Sequence, residues 1–285
     1  MRDVPPPAER RVAARDGLSL AALDWAGDEA RTPLLLLPGI CRTTRDFTLL
    51  AGRHQGRRRV VAIDYMGHGD SARSADIARY RPERAVGDIL DACAALHLPR
   101  VVVVGTSFGG LMAMVISVLR PTLLRGVVLN DIGPKIDPRG LRAVGGFAGH
   151  DPGAETIDEA VAYLRTVMPL IPLPDDAAWR HFAALTYKPG EDGKLHPRWD
   201  TRIQQAMEAG GGAPDLGPAF RGLRPIPAML VWGEASEFLA ADTVRAMVRD
   251  KPDLELLTLP GAGHAPTLEE PELVGPLDDF LDRIP

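Results

Sequence analysis

Cysteine is almost missing from this chain. Cys41 and Cys93 are the only two in 285 residues, which gives neither a disulfide framework nor metal-ligand spacing. A reducing, cytoplasmic setting is expected, and no metal or organic cofactor. Long apolar runs are missing too. Stretches such as Leu34–Leu37 and Leu111–Leu119 fall well short of the ~20 residues a bilayer span needs. Met1 to Arg15 is charged and proline-bearing and lacks the apolar segment of a secretory signal. A basic surplus is also lacking: 33 Lys and Arg stand against 38 Asp and Glu, for a net charge of -5. That balance argues against a nucleic-acid partner. The expected partner is a small-molecule substrate, with neither nucleic acid nor membrane involved.

What is present is an ordinary globular composition, 45% hydrophobic and 25% charged, long enough for one α/β core with an inserted subdomain. Short apolar runs end at turn residues: Leu34–Leu37 at Pro38-Gly39, Arg59–Ile63 at Asp64, Val101–Val104 at Gly105, Gly126–Leu129 at Asn130-Asp131, Ala228–Trp232 at Gly233, and Leu254–Leu259 at Pro260-Gly261. None alternates with polar residues, the pattern of strands buried on both faces of a parallel sheet. Amphipathic helices are expected between them over Pro82–Leu96, Phe108–Leu119, Ala241–Arg249 and Glu272–Arg283. This alternation predicts a doubly wound α/β sheet, with antiparallel edge strands around Leu18–Trp25. The alternation breaks between Gly133 and Arg224, where no convincing strand is visible. Helices are expected there over Ile157–Met168, Asp175–Leu185 and Thr201–Glu208, with Gly210-Gly211-Gly212 as a flexible exit. The expected division is a first core part over 1–134, a helical cap over 135–215 and a second core part over 216–285.

Gly105-Thr106-Ser107-Phe108-Gly109-Gly110 lies where a buried strand meets a helix. G-x-S-x-G at such a turn is a nucleophile elbow: the tight turn lifts the serine hydroxyl above the sheet and frees the next N–H. Ser107 is the candidate nucleophile. Among seven histidines, His264 follows the last strand in a glycine-rich loop, Gly261-Ala262-Gly263-His264, from which an imidazole can fold back to the elbow as the base. A third, acidic residue must orient that imidazole. The loop after the penultimate strand offers Ser236 in the usual acid slot, and a serine cannot carry the charge. Two candidates follow, Asp131 at the preceding strand end and Glu237 beside the slot, with Asp131 favoured. Candidate oxyanion donors are the N–H of Phe108 and that of Ile40, which follows Gly39. Cys41 has no evident base and is expected to be a packed thiol. The loop Asp64-Tyr65-Met66-Gly67-His68-Gly69-Asp70-Ser71 is expected to brace the top of the sheet, with His68 near the site rim.

Together these residues resemble the α/β-hydrolase superfamily from about Leu18 to Arg283, with four separated motifs in the expected order. The resemblance implies an α/β-hydrolase fold: a mostly parallel eight-stranded sheet flanked by helices, with an inserted helical cap. Pro38-Gly39-Ile40, Gly105-Thr106-Ser107, Asn130-Asp131-Ile132-Gly133-Pro134 and Glu234-Ala235-Ser236 are similar to a narrower group, the E-2-(acetamidomethylene)succinate hydrolase-like serine hydrolases. That likeness favours Asp131 as the acid and the Ile40/Phe108 pair.

The expected reaction is hydrolysis of a small carboxylic ester, amide or lactone through an acyl-enzyme on Ser107. The alternatives are C–C bond hydrolysis or perhydrolysis on the same residues, or a non-catalytic small-molecule receptor. In the cap, Arg142, Arg165, Tyr163, Trp179, Tyr187 and Trp199 are candidate substrate contacts, and an arginine there would clamp a substrate carboxylate.

Overall fold

The computed structural model describes residues 6–210 and 215–285. The first strands are β1 (Ala8–Ala13), β2 (Ser19–Trp25), β3 (Leu34–Leu37) and β4 (Val60–Ile63), with helix α1 (Thr48–His54) between the last two. Helix α2 (Pro82–Ala95), strand β5 (Val101–Thr106), helix α3 (Phe108–Leu119) and strand β6 (Leu124–Asn130) follow. The chain then runs through α4 (Pro138–Gly149), α5 (Ile157–Val167), α6 (Asp176–Thr186), a hairpin of β7 (Tyr187–Pro189) and β8 (Leu195–Pro197), α7 (Ile203–Ala209) and α8 (Gly217–Arg221). It returns through β9 (Ala228–Gly233), α9 (Ala241–Asp250), β10 (Glu255–Leu259) and α10 (Pro271–Arg283).

Eight strands form one sheet in the order β1-β2-β4-β3-β5-β6-β9-β10. β1/β2 and β2/β4 pair antiparallel and every other neighbour pair is parallel. The antiparallel pair expected around Leu18–Trp25 is therefore β2 with β1, which is the true edge.

The apolar runs are explained by two cores. Leu35, Leu37, Val101 and Val103 face α2 and α3 in one, while Leu34, Leu36, Val102 and Val104 face α1 and α10 in the other. Successive side chains point to opposite faces of a strand, so a strand covered on both sides must be apolar throughout. Each such side chain contributes roughly 1.5–3 kcal/mol of burial. One expectation needs correction. Leu254–Leu259 is not buried on both faces: β10 closes the sheet edge, and Leu256 is exposed.

The segment between β6 and β9 holds more structure than its sequence pattern announces. The β7–β8 hairpin was not expected, and neither was α4. Its glycines lower helix propensity, yet Gly140 is needed for contact: a Cβ there would sit 2.6 Å from the Glu237 carbonyl oxygen. Pro138 at the first turn and the Asp137 carboxylate, which accepts from the Arg139 N–H at 2.8 Å, start the helix. Gly211 and Gly212 of the expected flexible exit lie outside the described residues, as do the first five residues of the proline-bearing N-terminal stretch. Among the described residues, no helix is long and apolar enough to cross a membrane.

The sheet's tightest point is the strand–helix turn after β5. A Cβ on Gly109 would lie 2.0 Å from the Leu37 carbonyl oxygen, and one on Gly105 would lie 2.5 Å from the backbone of Gly109. Backbone cannot yield as a side chain can. Gly109→Ala is expected to destabilise the fold by about 3 kcal/mol or more. Thermal unfolding followed by circular dichroism should then show Tm lowered by about 6 °C or more.

Candidate active site

The C-terminal ends of β3, β5, β6 and β9 converge on one point. Ser107 leaves β5 with φ +49° and caps α3, a backbone region that non-glycine residues rarely occupy. Asp131 leaves β6 with φ +52°. Both strained residues sit where two parallel neighbours end, and β5 and β6 run in register up to Thr106 and Asn130. The loop after β10 delivers His264 between them.

The imidazole links the other two. Its Nδ1 lies 2.7 Å from Asp131 Oδ2 and its Nε2 lies 2.8 Å from Ser107 Oγ. With the Nδ1 proton donated to Asp131, Nε2 accepts the Ser107 hydroxyl. Asp131 is fully buried and Ser107 nearly so. Glu237, the alternative acid, is exposed; both nitrogens of the imidazole are taken by Asp131 and Ser107.

Several residues to which the sequence assigned no such role hold this arrangement. The Gly233 N–H donates to Asp131 Oδ1 at 3.0 Å, and the Ser236 hydroxyl donates to Asp131 Oδ2 at 2.6 Å. The Phe238 ring stacks on the imidazole, with centroids 4.2 Å apart and planes at 17°. The Asn130 side chain donates to the Pro266 carbonyl at 2.8 Å, tying the histidine loop to the end of β6. The clue available in sequence was proximity to the motifs: Asn130 precedes Asp131, and Ser236 fills the slot an acid usually takes.

On the opposite side of Ser107, the turn after β3 brings Gly39 close: a Cβ there would lie 3.8 Å from Ser107 Cβ. Neither the Ile40 nor the Phe108 N–H is used by a backbone acceptor in the loops and turns of the described residues. The Asp64–Ser71 loop braces this turn from behind. The Tyr65 hydroxyl donates to the Pro38 carbonyl at 3.0 Å, and His68 Nε2 contacts the Ile40 carbonyl. His68 is fully buried rather than at a rim. Asp64 accepts from the N–H groups of Thr44 and Asp70; burial nonetheless pushes its carboxyl up to about 6. Cys41 is a buried thiol, driven upward in pKa by burial and so held in the inert protonated form.

Ser107 and His264 open into a cleft of about 860 Å³. Phe147, Leu170, Ile171, Phe182, Leu185 and Phe238 contribute much of its apolar wall. None of the six expected contacts lines it. Arg142 is exposed. Arg165 pairs with Asp176 at 2.5 Å and lies over the Trp179 ring. Tyr163 stacks on Phe147 behind the cleft wall. Tyr187 is buried, and the indole N–H of Trp199 donates to the Ala148 carbonyl at 2.9 Å. Trp179, Tyr187 and Trp199 are instead part of the buried core that runs from the sheet and α2 and α3 into the segment between β6 and β9.

The arginines that do line the cleft are Arg42 and Arg45, and both are engaged. Arg42 pairs with Asp46, donates to Thr186 Oγ1 at 2.5 Å and lies 4.0 Å over the Phe182 ring. Arg45 pairs with Asp70 at 3.2 Å. Carboxylates of Glu237, Glu269, Glu270 and Glu272 also line the cleft. No cluster of three metal-ligating side chains occurs among the described residues.

Comparison with known proteins agrees with this fold. The 3-hydroxybutyrate-oligomer hydrolase of Cupriavidus necator is 31% identical over 274 residues, covering 92% of each chain. The 2-(acetamidomethylene)succinate hydrolase of Mesorhizobium japonicum is 30% identical over 253 residues, covering 87% of each. An α/β hydrolase crystal structure from Novosphingobium aromaticivorans superposes with a TM-score of 0.93 at 35% identity, covering 98% of this chain and 99% of that one. Residues 34–276 match the family model described as "Alpha/beta hydrolase family". The chain belongs to the alpha/beta hydrolase family and is a hydrolase.

Proposed function

We propose that the protein is a serine hydrolase of uncharged, extended carboxylic esters, with Ser107 as nucleophile, His264 as base and Asp131 as the acid that orients it. The observation that carries this reading is the unbroken hydrogen-bond chain from Asp131 through His264 to Ser107 at the floor of an apolar cleft.

In the first half-reaction His264 Nε2 takes the Ser107 proton as Oγ bonds to the ester carbonyl carbon. The carbonyl oxygen gains the negative charge, which the Ile40 and Phe108 N–H groups stabilise. The proton on Nε2 then passes to the departing alkoxide, and the C–O bond breaks to leave an acyl-Ser107. Water, deprotonated by His264, repeats the addition, and the acid is released with the Ser107 hydroxyl restored. Asp131 stays ionised and compensates the imidazolium charge in both halves.

The helices between β6 and β9 act as a cap that shapes the cleft. A cleft of about 860 Å³ lies within the usual range for ligands of drug size, roughly 300–1,000 Å³, and exceeds what a short acyl group fills. Its arginines are paired with Asp46 and Asp70, and several glutamates line it, which disfavours a substrate carboxylate inside it. The Cupriavidus relative is named for 3-hydroxybutyrate oligomers. The ester units of such a chain are uncharged, and its charge is confined to one terminal carboxylate. Those units suit the cleft better than a compact dicarboxylate.

A p-nitrophenyl ester series tests this. From acetate to hexanoate kcat/KM is expected to rise by about tenfold or more, since each buried methylene is worth up to ~0.8 kcal/mol. A hemisuccinate ester should be turned over ~100-fold less well than its neutral methyl ester, as befits an unpaired buried charge. Preference for the hemisuccinate would reinstate a carboxylate clamp. Absence of turnover on every ester, with no labelling by a fluorophosphonate, would leave a receptor.

A further inference from the structure

We infer that Ser236 is a positioning residue that fixes the Asp131 carboxylate for its work on His264. The inference rests on the Ser107–His264–Asp131 reading above and adds a member to it.

The direction of the Ser236 hydrogen bond is set by counting. Its Oγ accepts from the backbone N–H groups of both Phe238 and Leu239, each at 3.1 Å. A hydroxyl has two lone pairs and one proton, so these two bonds use its acceptor capacity. The single proton is left for Asp131 Oδ2, at 2.6 Å. The proton cannot swing away without giving up at least one of these N–H bonds.

Asp131 Oδ2 therefore receives two donors, the Ser236 hydroxyl and His264 Nδ1, while Oδ1 receives the Gly233 N–H. Gly233 and Ser236 come from the same turn after β9, and the Ser236 N–H itself donates to the Gly233 carbonyl at 2.9 Å. This turn grips both carboxylate oxygens and so fixes the carboxylate plane. It also carries Phe238, whose ring stacks on the imidazole. One short loop thus sets the acid and the base relative to each other. Without Ser236 the carboxylate keeps Gly233 on one oxygen and is free to tilt Oδ2 out of line with Nδ1.

The test is a double-mutant cycle on p-nitrophenyl butyrate hydrolysis, with Ser236→Ala made alone and in an Asp131→Ala background that removes the acceptor. Alone, Ser236→Ala is expected to lower kcat by about tenfold with KM changed less than ~2-fold, the scale of one charge-assisted hydrogen bond. Ser236→Thr, which keeps the hydroxyl, should recover kcat to within ~3-fold of the parent. In the Asp131→Ala background the same Ser236→Ala change should cost less than ~2-fold, because coupled residues are not additive. Circular dichroism spectra of each variant establish that the fold is retained. A tenfold loss that persists without Asp131, or no loss in the parent, overturns the inference. If Asp131→Ala itself leaves kcat unchanged, the acid assignment fails instead, and that outcome is read from a different corner of the cycle.

Discussion

Ser107→Ala is expected to lower kcat on a neutral ester by roughly a million-fold and to abolish fluorophosphonate labelling. The reason is that the acyl-enzyme route disappears as a whole. An alanine has no oxygen to bond to the carbonyl carbon, and no neighbouring group replaces it. Cys41 lines the same cleft but is a buried thiol that burial keeps protonated. The variant still has the Ile40 and Phe108 N–H groups and the cleft, so a residue of water-mediated hydrolysis survives. Folding should change little. The strain at φ +49° is borne by alanine as by serine, and the imidazole nitrogen left by the lost hydrogen bond faces the cleft, so stability should stay within ~1 kcal/mol of the parent. The pair of readouts, unchanged Tm with turnover gone, separates loss of chemistry from loss of fold. Retention of more than a few per cent of the activity would mean that another group, or water on an unaltered cleft, carries the reaction.

Much of this was legible in the sequence because the sheet is buried on both faces. Leu34–Leu37 and Val101–Val104 can only be apolar when α1 and α10 cover one side and α2 and α3 the other. The same burial makes the interruption at Gly105-Thr106-Ser107 conspicuous. β10 misled for the complementary reason. Leucines at an edge read like those of a covered strand, and only the strand order reveals that one side has no neighbour.

The inserted segment was the least legible. Which face of α4, α5 or α6 meets the cleft depends on how short helices pack on the core, and residue type does not record that. Trp179 and Tyr163 look like ligand contacts by composition, yet their rings are spent on Arg165 and Phe147. The side chains that reach the cleft, such as Phe147 and Phe182, have the same chemistry and no local mark to distinguish them. Ser236 illustrates a different limit. Its position in the usual acid slot is readable, and so is its inability to hold a charge. Its bond to Asp131 depends on two backbone N–H groups of its own turn, which no residue type encodes.

The largest effect short of removing the nucleophile is expected at Asp131. Asp131→Asn should lower kcat by about ten-thousand-fold, while Glu237→Gln should leave it within ~2-fold, as for an exposed residue outside the hydrogen-bond chain. The loss follows from the donors around position 131. An asparagine there has one carbonyl oxygen and one NH2 group to place among three donors: the Gly233 N–H on one side, and the Ser236 hydroxyl with His264 Nδ1 on the other. Turning the NH2 toward Gly233 sets two donors against each other in a fully buried place, at a cost of ~1–3 kcal/mol. With the oxygen toward Gly233 the NH2 faces His264 and also Ser236, whose hydroxyl must then give up one of its bonds to the Phe238 and Leu239 N–H groups. Either way round one buried bond is lost, and this second orientation is the one that reverses the imidazole. The imidazole must then accept at Nδ1, which moves its proton to Nε2. From Nε2 it donates to Ser107 instead of accepting the hydroxyl proton, so the base is lost although every atom keeps its place. Steady-state kinetics with both variants, together with their fluorophosphonate labelling rates, decide between the two acids. A crippled Glu237→Gln beside an active Asp131→Asn would move the acid to the loop after β9 and would require that loop to rearrange before catalysis.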